Sequence, residues 1–285
     1  MTNESCTMAN SDIKKTNEKV KIVNNLEYVK HKIVVMSGKG GVGKSTVAAN
    51  LALALSMNGA EVGLLDVDIH GPTIPKMLGI ENERPYPTDS GISPVIVPPH
   101  LRVMSIGFFL SDKDSPVIWR GPLKMGAIKQ FLEDVYWGNL DYLIIDLPPG
   151  TGDEPLSIAQ LIPKTDGALI VTTPQDVALL SVRKSTRALN MPIIGLIENM
   201  SGFVCPHCSK NIDIFKSGGG FKACLDMRIP FLGKIPINPT ITETGDNGKP
   251  FVLEYRETQV TKAFEEIIRK IVEFVGKKNE NKERS

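Results

Sequence analysis

Short apolar runs alternate with longer segments of helical character along most of this chain. The runs are bounded by polar or turn-forming residues, which is typical of strands buried in a sheet. They predict strands at residues 31–36, 61–65, 101–106, 142–146, 167–172, 192–198 and 231–236. Helix-forming composition, or apolar positions at helical spacing, predicts helices at 47–55, 125–135, 177–189, 221–227 and 258–275. The alternation predicts a three-layer α/β fold, with helices on both faces of a mostly parallel sheet.

Two further segments have a weaker pattern. Residues 81–99 are rich in proline and polar side chains, so we predict a surface loop there with a small hairpin near Ile92 to Val97. A short strand is predicted from Ile212 to Phe215. Neither segment changes the predicted fold class.

The two ends of the chain differ from its middle. Residues 1–30 have few apolar side chains and predict a mobile extension, with a short helix near residues 22–29. Residues 277–285 are charged and predict a disordered tail. The folded domain is therefore predicted to span residues 31–276.

Charge and composition narrow the class of protein. The 285 residues carry a formal net charge of +1, which provides no basic footprint for nucleic acid. The apolar runs are shorter than the roughly 20 residues that span a bilayer, and the first residues lack the apolar core of a secretory signal. Four cysteines are too few for a disulfide scaffold. We expect a cytoplasmic protein that binds neither membrane nor nucleic acid.

A glycine-rich segment, residues 37–46, lies between a predicted strand and a predicted helix. In that context its glycines bring backbone N–H groups and a helix N-terminus to one phosphate group. A simple glycine-rich turn with a solvated lysine is the less favoured interpretation, because the strand before the segment and the helix after it both match a phosphate site. The segment predicts a nucleoside triphosphate site with Lys44 on the β- and γ-phosphates and Ser45 on Mg²⁺. Its predicted nucleotide contacts are Gly38, Lys39, Gly40, Gly41, Val42, Gly43, Lys44, Ser45 and Thr46.

Carboxylates follow two other predicted strands. Asp66 and Asp68 end one of them, and Asp146 ends another, followed by the glycine-containing loop 147–153. Ligands in open parallel sheets bind beyond the carboxyl ends of the strands, so these side chains are expected to face the glycine-rich segment. Asp146 is predicted to hold Mg²⁺, and Gly150 to approach the γ-phosphate. Their position alone does not decide the role of Asp66 and Asp68. It fits a helix cap and a solvated loop charge as well as it fits a functional site.

A second chemical feature is the pair Cys205 and Cys208, in the loop 202–210. Two thiolates at this spacing bind one metal ion or cluster from one side, whereas a complete site takes four. The chain has no second pair, which favours two chains that each give one pair across a two-fold axis. A redox pair and a half-formed zinc knuckle are the alternatives, and iron–sulfur and zinc stay open. Cys224 is predicted to be a small buried residue and Cys6 an incidental thiol.

These motifs resemble those of the Mrp/ApbC-type P-loop ATPases, which carry iron–sulfur clusters. That family belongs with the deviant-Walker ATPases that include MinD, ParA and the nitrogenase iron protein. The resemblance covers about residues 31–276. It is carried by the segments 39–46, 66–72, 119–122, 141–153 and 199–201 and by the cysteine pair.

The resemblance implies a P-loop NTPase fold, ATP hydrolysis and a homodimer. We expect hydrolysis to be slow without a partner, because the sequence indicates no second activating group. Lys39 is then the signature lysine that reaches the partner subunit's nucleotide. Asp68, with Asp66 nearby, positions the attacking water and contributes to the Mg²⁺ site. The cysteine pairs of two subunits hold a labile [4Fe–4S] cluster for delivery to apoproteins.

The resemblance also assigns contacts with adenine. These fall on Asn199, on Pro236 and on Asn238, where the family pattern leads us to expect Asp.

Three other functions are alternatives to a cluster carrier. A MinD/ParA-like positioning ATPase predicts a basic amphipathic helix at 258–275, whereas that segment mixes Glu and Lys. A nitrogenase-iron-protein-like reductase predicts a cysteine in the loop 147–153, which has none. A zinc-bridged dimeric ATPase remains an alternative.

Overall fold

A mostly parallel sheet of nine strands forms the centre of this computed structural model, which describes residues 20–110, 121–150, 152–188, 191–205, 207–208 and 210–283. The strands are β1 (Val29–Ser37), β2 (Val62–Asp66), β3 (Tyr86–Thr88), β4 (Gly91–Ser93), β5 (Val95–Val97), β6 (Leu101–Ser105), β7 (Leu140–Asp146), β8 (Gly167–Thr172), β9 (Ile193–Val204), β10 (Asn211–Ile212) and β11 (Phe231–Ile237). Strands β3 and β4 form a separate hairpin. Cys6, Trp119, Arg120 and Thr151 lie outside the described residues.

Helices connect most of the strands. They are α1 (Lys44–Met57), α2 (Ile74–Met77), α3 (Gly121–Asp134), α4 (Asp153–Leu161), α5 (Asp176–Ala188), α6 (Gly219–Met227), α7 (Pro239–Asp246), α8 (Phe251–Glu254) and α9 (Gln259–Glu283). A 3₁₀ turn, Ile106–Phe109, follows β6. Within the described residues, none of the helices is both long and apolar enough to cross a bilayer.

The parallel strands lie in the order β6-β2-β7-β1-β8-β9-β11, and β5 and β10 pair antiparallel with their neighbours. Because these neighbours are parallel, their carboxyl ends meet at one edge of the sheet. The registers place Asp66 beside Asp146 and Glu198 beside Thr172 at that edge. The α/β fold with a mostly parallel sheet is confirmed.

Helix α1 is buried almost all round, which its composition explains. Its alanines and leucines leave no polar face from Val47 to Leu55 apart from Asn50. It packs on β1, β2 and β7, while α8 and α9 cover it from outside. A helix that is apolar all round is stable only when other elements enclose it in this way. The helix that follows the glycine-rich segment is therefore held rigidly in the core.

The predicted extension over residues 1–30 is too long. Residues 20–25 are helical and β1 begins at Val29. Ile22, Leu26 and Val29 are all buried in the core. Burial of these three apolar side chains, in the short helix, the turn and the start of β1, offsets the polar character of their neighbours.

The predicted disordered tail at 277–285 is also wrong over most of its length, because α9 continues to Glu283. Lys277 pairs with Glu273 one turn earlier at 2.6 Å. The Lys278 ammonium donates to the Asp166 carbonyl oxygen at 2.8 Å. Charge alone suggested disorder, but these contacts extend the helix.

The loop predictions need two corrections. The hairpin near Ile92 to Val97 is displaced, because β3 and β4 form it around residues 88–91 and β5 pairs with β6 instead. The strand predicted from Ile212 to Phe215 is limited to β10, which pairs with the end of β9. Both errors concern short edge pairings, which depend on distant partners more than on local pattern.

Candidate functional site

The glycine-rich loop joins β1 to α1 at the carboxyl edge of the sheet. Gly41 and Gly43 have φ angles of +76° and +81°, in the left-handed region that favours glycine. A Cβ at Gly43 would lie 2.2 Å from Nδ2 of Asn199. Since α1 begins at the next residue, Lys44, the loop brings backbone N–H groups and a helix N-terminus to one place. This arrangement suits a phosphate group.

The loop contacts the strand that ends in Asp146. The Lys44 ammonium lies 2.7 Å from Oδ1 of Asp146 and 3.5 Å from Oδ2 of Asp68. The Ser45 hydroxyl donates to Oδ2 of Asp146 at 2.6 Å. Burial raises the pKa of Asp146, and the Lys44 charge opposes that rise. One cation and three oxygen-bearing side chains thus meet at a single buried point.

This cluster has the donor set that Mg²⁺ prefers. Carboxylate and hydroxyl oxygens are its usual protein ligands. Oδ1 of Asp68 is buried and has no hydrogen-bond partner among the described residues. A buried carboxylate oxygen without a partner is costly unless a ligand completes it. Ser45, Asp68 and Asp146 therefore fit a magnesium site.

Asp66 has a different position from Asp68. Its carboxylate is fully buried and accepts hydrogen bonds from the Ser105 hydroxyl at 2.9 Å and the Asp68 N–H at 3.1 Å. Burial, with the neighbouring charge of Asp146, raises the pKa of Asp66 to about 8. Asp66 thus fixes the backbone of Asp68, and Ser105 in turn fixes Asp66.

Replacement of Asp66 by asparagine should make thermal stability less dependent on pH. The pKa of Asp66 is about 8 in the folded chain against an ordinary value of 3.8, so the folded state holds the extra proton between these values. The stability that this carboxyl contributes therefore falls as pH rises through the interval, by at most about 1.4 kcal/mol per pH unit. Asparagine cannot ionise and lacks this effect.

The measurement is the melting temperature of the wild type and of Asp66→Asn from about pH 5 to about pH 9 without nucleotide. The wild type should lose stability relative to the variant as pH rises. Asp89→Asn, at an exposed loop aspartate, is the control. A difference that is constant across this range would contradict the buried, protonated Asp66.

Lys39 is half-buried on the other side of the loop. Its ammonium lies 3.4 Å from the side-chain oxygen of Gln175, which follows β8. The Ser37 hydroxyl donates to the Lys39 carbonyl oxygen at 2.9 Å. Gly150, with a φ of +113°, donates its N–H to the Ser37 carbonyl oxygen at 3.0 Å. The loop after β7 is thereby joined to the base of the glycine-rich loop.

A cavity of about 300 Å³ opens beside the loop. The structure brings Asn199, Pro236 and Asn238 together in its wall with Gly43 and Thr46. Asn199 donates from Nδ2 to the Val42 carbonyl oxygen at 2.9 Å. The Asn238 side chain accepts from the Thr240 N–H at 2.9 Å and caps α7. The wall is largely apolar with a few fixed polar groups, as in many pockets for small molecules and cofactors.

The predicted cysteine loop, residues 202–210, overlaps the last three residues of β9, which ends at Val204, so both cysteines lie just beyond the strand. Cys205 is half-buried and Cys208 is exposed, and both thiols are free. Hydrogen bonds from the N–H groups of His207 and Cys208 lower the pKa of the Cys205 thiol. The Cys205 N–H donates to the Lys210 carbonyl oxygen at 3.0 Å and closes the turn. The turn therefore stabilises the thiolate form of Cys205, which is the form that binds metal.

Within the described residues, no group of three or more His, Cys, Asp or Glu side chains forms a metal site. Cys224 is buried on α6, and its thiol donates to the Pro230 carbonyl oxygen at 3.7 Å. Burial raises the pKa of Cys224 to about 12. The structure therefore bears out the prediction that Cys224 is a buried residue. Cys224 does not add a ligand to the surface pair, which offers two thiols.

A glycine-rich loop between strand and helix, bonded through lysine and serine to a strand-end aspartate, defines a P-loop NTPase. The model of the family described as NUBPL iron-transfer P-loop NTPase, under the name ParA, matches residues 28–272. The chain belongs to this family, and the predicted resemblance is confirmed.

Relatives and solved structures agree with this assignment. An iron–sulfur cluster carrier protein of Methanocaldococcus jannaschii is 55% identical over 263 residues, 91% of this chain and 90% of that protein. One of Saccharolobus solfataricus is 48% identical over 272 residues, 93% of this chain and 92% of that protein. A solved structure of the nucleotide-binding protein from Archaeoglobus fulgidus is in complex with ADP and has cobalt in it. It is 37% identical with a TM-score of 0.73, and the match covers 85% of this chain and 98% of that one.

The cell division ATPase MinD of Pyrococcus furiosus shares the fold alone. It is 24% identical with a TM-score of 0.60, and the match covers 86% of this chain and 99% of that one.

Sequence reasoning missed three residues of the site. Ser105 ends β6 and holds Asp66, and Gln175 follows β8 and holds Lys39. Glu198 lies in the apolar run of β9 and is fully buried. A charged residue within an apolar run was the available signal for Glu198, because such a charge is buried only with partners. Ser105 and Gln175 gave a weaker signal, namely their position at strand ends.

Proposed function

We propose that this protein is an ATP-hydrolysing carrier that holds a labile [4Fe–4S] cluster between two copies of the chain and delivers it to apoproteins. The observation that carries the proposal is the half-complete thiolate site of Cys205 and Cys208 on the surface of a P-loop NTPase. The relatives named as iron–sulfur cluster carriers support the cargo. The cluster is the substrate of this site.

A homodimer completes the thiolate site most simply. Iron–sulfur clusters of this type are held by four thiolates, and each chain offers two at the cysteine loop. A two-fold axis beside this loop brings two equivalent pairs together. Because each pair sits on an exposed loop, the cluster is accessible to an acceptor protein. Free, surface-accessible thiols also suit the reducing cytoplasm, where we place the protein.

ATP is proposed to bind in the loop of residues 38–46. The backbone N–H groups and Lys44 would stabilise the charge that develops on the γ-phosphate. Ser45, Asp68 and Asp146 would hold Mg²⁺, which neutralises phosphate charge when it is bound. The Asp68 carboxylate would orient the attacking water, and Asp66 would position Asp68 through its backbone N–H.

Two further roles extend beyond the phosphates. Asn199, Pro236 and Asn238 would contact adenine in the neighbouring cavity. Lys39 would leave Gln175 to reach the nucleotide of the partner subunit, since the contact between its ammonium and the Gln175 side chain, at 3.4 Å, is weak.

The test of the cargo is anaerobic reconstitution with ferrous iron and sulfide. The desalted protein is then analysed for iron, sulfide and zinc and by its visible absorption spectrum. We expect about two iron and two sulfide per chain and a broad absorption band of thiolate-bound cluster. A colourless protein that binds neither iron nor zinc would contradict the proposal and leave a positioning ATPase.

A zinc-bridged dimeric ATPase is the second candidate. The Cys205 thiolate, stabilised by neighbouring N–H groups, suits Zn²⁺ as well as iron, because both metals take thiolates in tetrahedral geometry. The same metal analysis separates them. About half a zinc ion per chain, without sulfide, would support the zinc bridge.

A further inference from the structure

One buried carboxylate holds both ends of the segment that contains the cysteine loop. Glu198 of β9 is fully buried. Its Oε1 accepts hydrogen bonds from the Ser201 hydroxyl and from the Gly218 N–H, the latter at 2.9 Å. Its Oε2 accepts from the Gly220 N–H. Since Ser201 precedes and Gly218 follows residues 202–217, the Glu198 side chain joins the two ends of this segment. The hydroxyls of Ser201 and Ser217, 3.2 Å apart, add a second contact between the ends.

The glycines at 218–220 are suited to this contact. A Cβ at Gly220 would lie 2.8 Å from Oε2 of Glu198, and one at Gly219 would lie 2.2 Å from the Pro174 carbonyl oxygen. Gly218 has a φ of +80° and precedes the first residue of α6. The carboxylate therefore meets the N-terminus of a helix, where negative charge is favourable. A larger residue at 219 or 220 would push the helix away from Glu198.

The adjacent residue of β9 contacts the phosphate loop. Asn199 donates to the Val42 carbonyl oxygen at 2.9 Å, and its Nδ2 occupies the space that a Cβ at Gly43 would need. Successive side chains of a strand point to opposite faces, so Glu198 and Asn199 reach different loops from one stretch of backbone. That backbone is paired with β8 and β11 on its two sides. Two adjacent residues of one strand thus contact both loops.

We propose that Glu198 is a positioning residue that fastens the cysteine loop to β9 and, together with Asn199, couples the two thiols to the nucleotide. The inference rests on the proposed function in taking Cys205 and Cys208 as the cargo ligands and the loop of residues 38–46 as the ATP site. When bound ATP alters the Val42–Asn199 contact, it changes the free energy of the closed form of residues 202–217, in which Glu198 holds both ends. By linkage, closure of that segment changes the affinity for ATP by the same factor.

The test is the alkylation rate of each thiol in the full chain, followed by mass spectrometry with and without Mg-ATP. Glu198→Gln has nearly the same shape but places an amide NH₂ against a backbone N–H, which opens one end of the segment. Glu265→Gln, at an exposed residue of α9, is the matched control. Cys224 is the internal reference because it is buried.

In the wild type and in Glu265→Gln, Mg-ATP should change the alkylation rate of Cys205 or Cys208 by about fivefold or more. In Glu198→Gln the change should fall below about twofold, while the Kd for ATP shifts by no more than about the coupling factor that is lost, as linkage requires. A variant that keeps the wild-type response, or a wild type without one, would overturn the proposal. So would parallel loss of ATP binding and response in the variant, because that result indicates a merely structural role.

If Glu198→Gln unfolds, Ser201→Ala removes one hydrogen bond to the same carboxylate, together with the contact between the Ser201 and Ser217 hydroxyls, and should still reduce the response to ATP. An unchanged response in Ser201→Ala would then overturn the proposal. Alkylation requires no iron, so the test is independent of reconstitution. A wild type that fails to take up iron contradicts the proposed cargo and leaves this result intact.

Discussion

Replacement of Lys44 by alanine should lower the rate of ATP hydrolysis by at least about a hundredfold, the usual cost of losing one charge-stabilising donor. The ammonium lies 2.7 Å from Asp146 and 3.5 Å from Asp68, at the start of the helix that follows the phosphate loop. Its loss removes the cation that would face the γ-phosphate. It also leaves Asp146 buried without its partner, so the pKa of Asp146 should rise further.

The measurement is phosphate release by purified Lys44→Ala, with its melting temperature recorded alongside. Lys262→Ala, at an exposed lysine of α9, is the control and should keep the wild-type rate. Iron uptake by Lys44→Ala should remain, because both cysteines lie beyond the end of β9. A variant that is folded and hydrolyses ATP at the wild-type rate would contradict the assignment of the phosphate site.

The second large effect concerns the cysteine pair. Cys205→Ala or Cys208→Ala should reduce iron and sulfide uptake to less than about a tenth of the wild-type value, since two ligands of a four-thiolate site are lost per dimer. Cys224→Ala is the matched control, because its thiol is buried and contacts the Pro230 carbonyl oxygen. It should take up iron as the wild type does.

The rate of ATP hydrolysis shows whether a cysteine variant has lost only a cluster ligand or has also lost its fold. Each surface-cysteine variant should keep ATP hydrolysis within about twofold of the wild type, because neither thiol contacts the phosphate loop. Full iron and sulfide uptake by either variant would contradict a cluster shared between the two pairs.

The central features of the fold could be predicted because their signals are local. The buried run of β1, the glycines at 41 and 43 and the apolar helix α1 each follow from a short stretch of sequence. Strand-end aspartates could be placed at one edge because parallel strands share it. The cluster of Lys44, Asp68 and Asp146 follows from those two facts.

Other features depend on long-range contacts that no local pattern indicates. The Asn199 contact with Val42 and the Gln175 contact with Lys39 each join residues more than a hundred positions apart. The helix through Glu283 depends partly on the contact of Lys278 with the Asp166 carbonyl oxygen. Segment ends and edge strands were therefore misplaced where tertiary contacts override local preference.

The central claim is that one cluster joins two chains through their cysteine pairs. Its most direct test is the molar mass of the iron-loaded protein, measured by light scattering during anaerobic size exclusion. The account predicts a coloured species of twice 31.1 kDa that is lost in Cys205→Ala. A coloured species of 31.1 kDa with its full content of iron and sulfide would contradict it.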